Sequence, residues 1–413
     1  MSTALHPLVP NLTTRLAGAA GSSTAEPLTL PLRLAAPRFA PDALQAVTQV
    51  LATGMLVQGT QVAAFEAAIA EILNIPHAVA CSSGTAALQL ALLALDLKPG
   101  DEVIVPDLTF PATVNMVLAT GGIPRVVDVS TATGNVIPEA VEAAIGPRTR
   151  AILPVHLFGL CAELQPLLAL GQKHGLPVLE DAACALGATW PAAQGESLPI
   201  GRGTWAACLS FHPRKILTTG EGGMVVTEDG ALATRLRHLR NHGASPLAGR
   251  MDFHEVGFNL RLTELQGALG VSQARELPRH LQARQALAAV YHQALYPLVD
   301  RFDLTLPVEP LGFHHVWQSY VVLLPRGLDR DRVAEALKAR QVESTLGSYA
   351  LHAIPCFQER LGLRAEDFPG ASRHATSSLA LPIHTLVTPA GVAYVAQMLE
   401  DVLTLETARA GAS

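Results

Sequence analysis

The sequence predicts an α/β protein with two unequal units, of which the larger is built on a mostly parallel sheet between helices. The chain has 413 residues, too many for one ordinary hydrophobic core. Between residues 102 and 227, short apolar runs bounded by Pro, Asp or Gly alternate with helical segments. The texture changes after about residue 278. We therefore expect a loose arm at 1–33, a large domain at 34–278 and a small C-terminal α/β domain at 279–413.

The elements of the large unit follow from their periodicity. Val62, Phe65, Ile69 and Ile72 recur at helical spacing, which predicts an amphipathic helix, and a second, mostly buried helix is expected at 86–95. Strands are predicted at 102–106, 125–129, 151–155, 177–180, 206–211 and 223–227, with helices at 138–145 and 164–174 between some of them. In such sheets ligands bind at the carboxyl ends of the strands.

The small unit is expected to begin with a long helix. The pattern predicts helices at 281–295, 329–340 and 390–405, with strands at 320–324 and 342–344.

Composition and charge exclude several classes of function. The net charge is −6 and no block of Lys and Arg occurs, so we expect no nucleic-acid partner. The five cysteines form no C-x-x-C pair, which argues against a metal site and fits reduced cytoplasmic thiols. No apolar stretch is long enough to cross a membrane, and the N-terminus does not resemble a signal peptide. Charged residues make up only 15%, which suggests a surface buried against a partner subunit.

Lys215 is the first residue with a chemical signal. It follows a predicted buried strand and lies in a loop that ends in paired glycines, Ser-Phe-His-Pro-Arg-Lys-Ile-Leu-Thr-Thr-Gly-Glu-Gly-Gly at 210–223. Such a loop brings the backbone close to a ligand. Most lysines are solvated surface charges, but a lysine placed here can form a Schiff base with an aldehyde cofactor.

Three weaker signals precede Lys215. Ser82-Ser-Gly-Thr85 opens a helix, as a phosphate cradle does, although an ordinary N-cap has the same residues. Asp181 ends an apolar strand, where a carboxylate could pair with a protonated pyridine nitrogen or simply cap a loop. Phe110 could stack on an aromatic cofactor or belong to the core. Their order along one sheet-forming unit is more informative than any one of them.

Together these residues resemble the DegT/DnrJ family of sugar aminotransferases, within the fold-type I enzymes that depend on pyridoxal 5′-phosphate (PLP). The resemblance covers roughly residues 40 to 405. The motifs that carry it lie at 83–85, 109–113, 180–183 with 187–188, 210–215, 219–223, 240–243 and 257–266.

The resemblance implies roles for individual residues. Lys215 would carry the cofactor as a Schiff base and later move the proton, and Asp181 would pair with the pyridinium nitrogen. Gly84, Thr85 and Ser210 would hold the phosphate.

Four further positions are implied with less direct roles. Phe110 would stack on the ring, Asn259 would reach the phosphate from the neighbouring subunit of a homodimer, and His352 would lie near the substrate. Where the family usually has Gln or His, three residues after Asp181, this chain has Cys184. Because a thiol is a poor hydrogen-bond partner, the usual polar contact near the cofactor is in doubt.

The expected function is transfer of an amino group from an amino acid, by resemblance glutamate, to a keto sugar linked to a nucleotide. A cyclitol acceptor remains open. A sugar dehydratase of the same fold replaces the lysine with His, so Lys215 argues against that alternative. A ligand sensor that keeps the fold without catalysis is the third alternative.

Overall fold

A computed structural model describes residues 28–192, 195–247 and 250–410. Most of the arm expected at 1–33 lies outside the described residues. Of its last residues, Leu32 is buried and forms an isolated parallel bridge with Val342.

The described chain contains helices and short strands that alternate through its first two thirds. The helices are α1 Ala43–Thr53, α2 Thr60–Ile72, α3 Gly84–Ala94, α4 Ala112–Ala119, α5 Pro138–Ala144, α6 Leu164–His174, α7 Gly230–Leu239, α8 Glu264–Phe302, α9 Arg330–Ala339, α10 Pro355–Leu361, α11 Pro369–Ser377 and α12 Pro389–Ala410. The strands are β1 His77–Cys81, β2 Glu102–Pro106, β3 Ile123–Val127, β4 Thr149–Ile152, β5 Leu179–Asp181, β6 Thr189–Pro191, β7 Ser197–Pro199, β8 Ala206–Ser210, β9 Gly223–Thr227, β10 Ala244–Leu247, β11 Arg250–Phe253, β12 Tyr320–Leu323 and β13 Ser378–Leu381.

The main sheet has the strand order β1-β9-β8-β5-β4-β2-β3. Two hydrogen-bonded groups, β1-β9-β8-β5 and β3-β2-β4, are joined by the parallel bridges Ile152↔Val178 and Val155↔Asp181. Only β9 runs antiparallel to its neighbours in this sheet. The mostly parallel sheet predicted from the sequence is therefore confirmed.

Two hydrophobic cores cover the two faces of this sheet. Successive residues of a strand point to opposite faces, so Ile104 of β2 belongs to one core while Val103 and Val105 belong to the other. The first core holds Phe65 of α2, and the second holds most of α3. This sandwich fixes the strand ends that carry the polar residues described below.

Two predictions for the C-terminal part were wrong in detail. The helix predicted at 281–295 lies within α8, which ends at Phe302. This helix begins at Glu264 with a capping box between Thr263 and Gln266 and continues through Pro278. The predicted strand at 342–344 makes only an isolated bridge through Val342, and the partner of β12 is instead β13, antiparallel to it.

The C-terminal part has a core of its own, in which α8, α12 and the β12–β13 pair meet around Tyr291 and Tyr320. The domain boundary predicted after residue 278 falls inside α8, and the division into two domains stays a prediction. Within the described residues, no helix combines the length and apolar character needed to cross a membrane.

Candidate active site

The polar residues singled out by the sequence meet at one edge of the main sheet. β2, β5 and β8 run parallel and end at this edge with Pro106, Asp181 and Ser210, and the antiparallel β9 begins there with Gly223. The carboxyl ends of such strands are the usual ligand site of a parallel sheet.

Asp181 is a buried carboxylate held in one orientation. Its Oδ2 accepts a hydrogen bond from the Thr113 hydroxyl at 2.7 Å, and its Oδ1 accepts one from the Ala183 amide at 3.2 Å. Its backbone is bonded on both sides to the 154–156 segment, through the Pro154 carbonyl and the His156 amide. A carboxylate buried to this degree needs such hydrogen-bond partners in place of its lost hydration.

A second hydroxyl extends this network away from Asp181. Thr109 lies 2.8 Å from Thr113, oxygen to oxygen, and both side chains are buried. Because the Thr113 proton is used on Asp181, Thr109 donates to Thr113. The network links the carboxylate to the loop between β2 and α4, which also carries Phe110.

The start of α3 forms a close-packed cradle. Ser83 is its N-cap and its hydroxyl accepts from the Ala86 amide at 3.1 Å, so the ordinary N-cap interpretation holds for Ser83 itself. The N–H groups of Gly84 and Thr85, in the first helical turn, have no acceptor within the helix. A Cβ on Gly84 would lie 2.7 Å from the Ser210 Cβ, so only glycine allows this approach. Two amides and the Ser210 hydroxyl thus lie where an anion can bind.

Lys215 lies in the loop between β8 and β9. Its Nζ donates to the Sγ of Cys184 at 3.0 Å. Cys184 comes from the turn directly after β5, so this contact connects the lysine loop with the Asp181 strand. Both side chains are half-buried, which leaves the amine reachable for a cofactor.

Phe110 is exposed over 63% of its surface, which is unusual for a large aromatic side chain. Its ring makes an edge contact with Tyr349, with centroids 6.1 Å apart. The alternative that Phe110 belongs to the core is therefore excluded by its exposure, and its face is available for stacking.

His352, which the resemblance implies to lie near the substrate, has protein contacts at both ring nitrogens, and its place near the substrate stays a prediction. It is buried, its Nδ1 lies 2.6 Å from Oδ2 of Asp107, and its Nε2 lies 3.2 Å from the Ser372 hydroxyl. Burial raises the pKa of Asp107, and the hydrogen bond from His352 opposes this rise. Both ring nitrogens therefore have protein partners.

Asn259 has an exposed side chain and pairs through its backbone with Asn241. The next residue, Leu260, accepts a hydrogen bond from the Ser82 amide at 2.9 Å, so this segment borders the cradle of its own chain. Within the described residues, no group of His, Cys, Asp or Glu could hold a metal ion.

Sequence reasoning missed the residues that support the site. Thr113 stands in a motif that carried the resemblance, but its spacing gave it no role. Asp107 contacts His352, and Gln318 contacts the lysine loop. Both partners are distant along the chain, and no local pattern signals either contact.

The model of the DegT/DnrJ/EryC1/StrS aminotransferase family matches residues 37–400. The chain belongs to this family. The resemblance inferred from the sequence is confirmed, and the protein is an aminotransferase whose cofactor is PLP.

The aminotransferase is similar to curated proteins over nearly their whole length. It is 38% identical over 375 residues to the GDP-perosamine synthase of Caulobacter vibrioides, covering 90% of this chain and 98% of that protein. It is also 38% identical over 372 residues to a UDP-N-acetyl-3-dehydro-α-D-glucosamine 3-aminotransferase of Acidithiobacillus ferrooxidans, covering 88% and 95%.

Solved structures confirm the fold. DesV of S. venezuelae, solved in complex with a ketimine intermediate, superposes with a TM-score of 0.81 at 35% identity, covering 88% of this chain and 94% of DesV. The putative sugar aminotransferase Spr1654 of Streptococcus pneumoniae, in its PMP form, superposes with a TM-score of 0.84 at 22% identity, covering 90% and 99%. The predicted PLP fold type I is confirmed.

The residues of this aminotransferase fit PLP. The close approach of Gly84 to Ser210 would cradle a phosphate, the buried Asp181 would suit a protonated pyridine nitrogen, and Lys215 would supply the amine.

Proposed function

We propose that the aminotransferase moves an amino group from an amino acid to a keto sugar carried on a nucleotide. The observation that carries this proposal is the convergence of Lys215, Asp181 and the Gly84 cradle at one sheet edge. The acceptor class is supported by the names of two relatives at 38% identity, a GDP-perosamine synthase and a UDP-sugar 3-aminotransferase.

The side chains divide the chemistry between them. PLP, when bound, supplies a ring that accepts the electron pair left by removal of the substrate α-proton. Asp181 holds the pyridine nitrogen protonated through its negative charge. Gly84, Thr85 and Ser210 bind the phosphate. The Lys215 amine, once the amino donor has displaced it, acts as general base for the α-proton and as general acid for its return.

Glutamate is the proposed donor. Lys215 lines a small cavity together with Arg38, Arg214 and Arg284, and its lining contains no Asp or Glu. Arg284 is buried, and among the described residues it forms no ion pair with a carboxylate. A cationic cavity at the lysine loop favours a donor that carries two carboxylates over one that carries a single carboxylate.

Half-reactions test this assignment. The purified enzyme is mixed with single amino acids, and the conversion of its cofactor is followed by absorbance. The aminated enzyme is then mixed with keto sugars on different nucleotides and with free cyclitol ketones, and the products are identified by mass spectrometry. Fast turnover of glutamate and of a nucleotide-linked keto sugar supports the proposal. Turnover of the cyclitol alone, or release of water from the sugar without amination, would contradict it.

We further propose a homodimer that works in the cytoplasm. All five cysteines are free, as reduced thiols are in that compartment. Exposed apolar side chains occur just before Asn259 and in the 55–57 segment, whose Val57 bridges Thr263, and a partner would bury them. These side chains are Met55, Leu56, Val57, Phe253, Val256 and Phe258.

In this dimer, Asn259 contributes to the phosphate site of the other subunit. The exposed side chain of Asn259 supports this, whereas the bond between Leu260 and Ser82 fits a contribution within one chain equally well. Mixing Lys215→Ala with Asn259→Asp subunits separates the two arrangements.

Random mixing makes about half of the dimers hybrid. If the site is shared, each hybrid has one intact site of its two, so activity recovers to about a quarter of wild type. A site within one chain leaves every hybrid without an intact site. With hybrid dimers confirmed by two affinity tags, absence of recovery contradicts the shared site. Asn259→Asp must be impaired by itself for the test to apply.

A further inference from the structure

We propose that Gln318 is a positioning residue for Lys215, acting through the backbone on both sides of the lysine. This inference rests on the proposed role of Lys215. Gln318 lies two residues before the start of β12 and more than 100 residues from the lysine loop along the chain. It is 9% exposed.

The Gln318 amide makes two hydrogen bonds that flank the lysine. Its Oε1 accepts from the Ile216 amide at 3.0 Å, and its Nε2 donates to the Arg214 carbonyl at 2.5 Å. Only one orientation of the carboxamide satisfies both bonds, because exchanging its oxygen and nitrogen would place donor against donor. The side chain therefore holds residues 214 and 216 as a fixed pair, with Lys215 between them.

The lysine loop needs such support because no helix or strand lies between β8 and β9. Within the loop, the Lys215 amide donates to His212 and the Thr219 amide donates to Phe211. Near the lysine, the other contacts of this loop to α8 are longer, from Ile216 to His280 at 3.3 Å and from Thr218 to Gln273 at 3.5 Å. A shorter bond, from the Gln266 side chain to the Glu221 carbonyl at 2.7 Å, lies at the far end of the loop. Around Lys215, Gln318 makes the shortest contacts between the loop and the C-terminal part.

Gln318 is itself fixed from behind. Nη1 of Arg284 donates to the carbonyls of Trp317 and Gln318, at 2.8 and 3.1 Å, and the Ser319 amide donates to Phe158. Burial lowers the pKa of Arg284 to about 10, so the guanidinium stays charged at neutral pH. α8 thus holds the segment that holds the lysine loop.

The two flanking bonds set the direction in which the lysine side chain leaves the backbone. Within the part of the chain that the structure describes, the Lys215 side chain makes one hydrogen bond, to the Cys184 thiol, which is a weak partner. A reacting group displaced by about 1 Å can lose about a hundredfold in rate. Loss of the Gln318 amide should therefore slow every step that needs the Lys215 amine, while phosphate binding at the α3 cradle is unchanged.

The test uses Gln318→Met, which keeps the length of the side chain and removes both bonds. Cofactor is removed, PLP is added back, and borohydride is used to stop samples over time, with the modified peptide quantified by mass spectrometry. The matched control is Gln273→Met, another buried amide whose bonds reach Thr218 and Arg38 rather than the residues flanking the lysine.

We expect Gln318→Met to attach PLP to Lys215 about tenfold or more slowly, with a matching fall in kcat, an unchanged KM for donor and unchanged phosphate affinity. Gln273→Met should stay within about threefold of wild type. Gln318→Glu keeps the acceptor for Ile216 and loses the donor to Arg214, so an intermediate slowing of about fivefold is expected. This variant decides the question if Gln318→Met does not fold.

Attachment at the wild-type rate in a folded Gln318→Met or Gln318→Glu variant overturns the positioning role alone. Slowing of Gln273→Met to the same extent overturns it as well, because any buried amide would then have the effect. If wild type itself attaches PLP to another lysine, the proposed chemistry of Lys215 fails and this inference fails with it.

Discussion

Asp181 and Lys215 lie at the same sheet edge but are supported by different parts of the chain. The carboxylate is buried in the main sheet, and its partners Thr113 and Ala183 belong to the same sandwich. The amine is on a half-exposed loop, and the contacts that fix this loop come from α8 and from Gln318, before β12.

The two side chains are therefore sensitive to substitutions in different parts of the chain. The charge of Asp181 is built into the buried interior of the main sheet. The amine proposed to move the proton depends on how the C-terminal part contacts the lysine loop. Cys184 is the contact between the two, because it follows β5 and accepts from the lysine.

The largest effect is expected on the Asp181 side. Asp181→Asn removes the charge that keeps the pyridine nitrogen protonated, while Thr113 and the cradle remain. We expect the donor half-reaction to slow by about a hundredfold or more in single-turnover absorbance measurements, with PLP still attached to Lys215. The control is Asp229→Asn, which removes a carboxylate from the N-cap of α7 and should leave the rate unchanged. A near-normal rate in Asp181→Asn would remove this residue from its role.

A smaller effect on the same side is expected from Thr113→Val. The substitution keeps the shape and removes the hydroxyl that donates to Asp181, so the carboxylate loses one charge-assisted bond. We expect kcat to fall about tenfold without change in the rate of PLP attachment to Lys215. The same substitution at Thr120, whose hydroxyl bonds only to the end of its own helix, serves as control. Equal effects of the two variants would show that Thr113 acts only through stability.

Cys184 tests the contact between the two sides. Cys184→Gln restores the residue usual in the family and places an amide beside Lys215. We expect a shift in the visible absorption spectrum and a change in donor preference of less than about tenfold, because a thiol is a weak partner to begin with. Cys184→Ala should shift the spectrum less. Identical spectra and kinetics in both variants would mean that Cys184 only packs as a small apolar residue.

The last effect concerns the free energy of unfolding in acid and the Lys215 side. Burial lowers the pKa of His315 to about 3, with further lowering by His314 and His292, and its Nδ1 accepts from the Trp317 amide at 2.9 Å. The unfolded chain binds this proton below about pH 6.5 and the folded chain does not until about pH 3. The free energy of unfolding therefore falls as the pH drops through this window, by up to about 1.4 kcal/mol per pH unit from this group.

His315→Gln should flatten that slope, whereas His314→Gln, at the half-exposed neighbour, should flatten it less, because it removes only one of the secondary causes of the His315 shift. Chemical denaturation between pH 4 and 7 measures the difference. Hydrogen exchange at pH 4.5 should rise first at 211–219 and 315–318, before 104–113. Equal slopes in wild type and His315→Gln would contradict the contribution of His315 to the pH dependence. Earlier exchange at 104–113 would contradict the lower stability expected on the Lys215 side.

The sequence predicted the strand-end residues of the site better than the contacts that support them, for a physical reason. Strand ends and their polar residues are local patterns, and parallel topology brings them together, so the positions of Asp181, Ser210 and Lys215 could be read from apolar runs. Gln318 contacts residues 214 and 216 only because the chain folds back over more than 100 residues. No spacing in the sequence carries that information.

Helix α8 shows the same limit at the level of the fold. Pro278 removes a backbone donor and normally ends a helical pattern, so the prediction began the helix after it. The helix continues through Pro278 because it starts at the Thr263 capping box and packs first against a core of the main sheet and then against the core of the C-terminal part. Likewise, β13 was missed because its four residues directly follow α11, without an intervening turn.

The reactive amine is identified most directly by reducing the yellow holoenzyme with borohydride, digesting it and sequencing the peptide that carries the cofactor. We expect one modified peptide, with the label on Lys215. We also expect that Lys215→Ala folds, loses the label and loses amino transfer. A label on Lys98, Lys173 or Lys338, or activity that survives in Lys215→Ala, would contradict the assignment of the reactive amine.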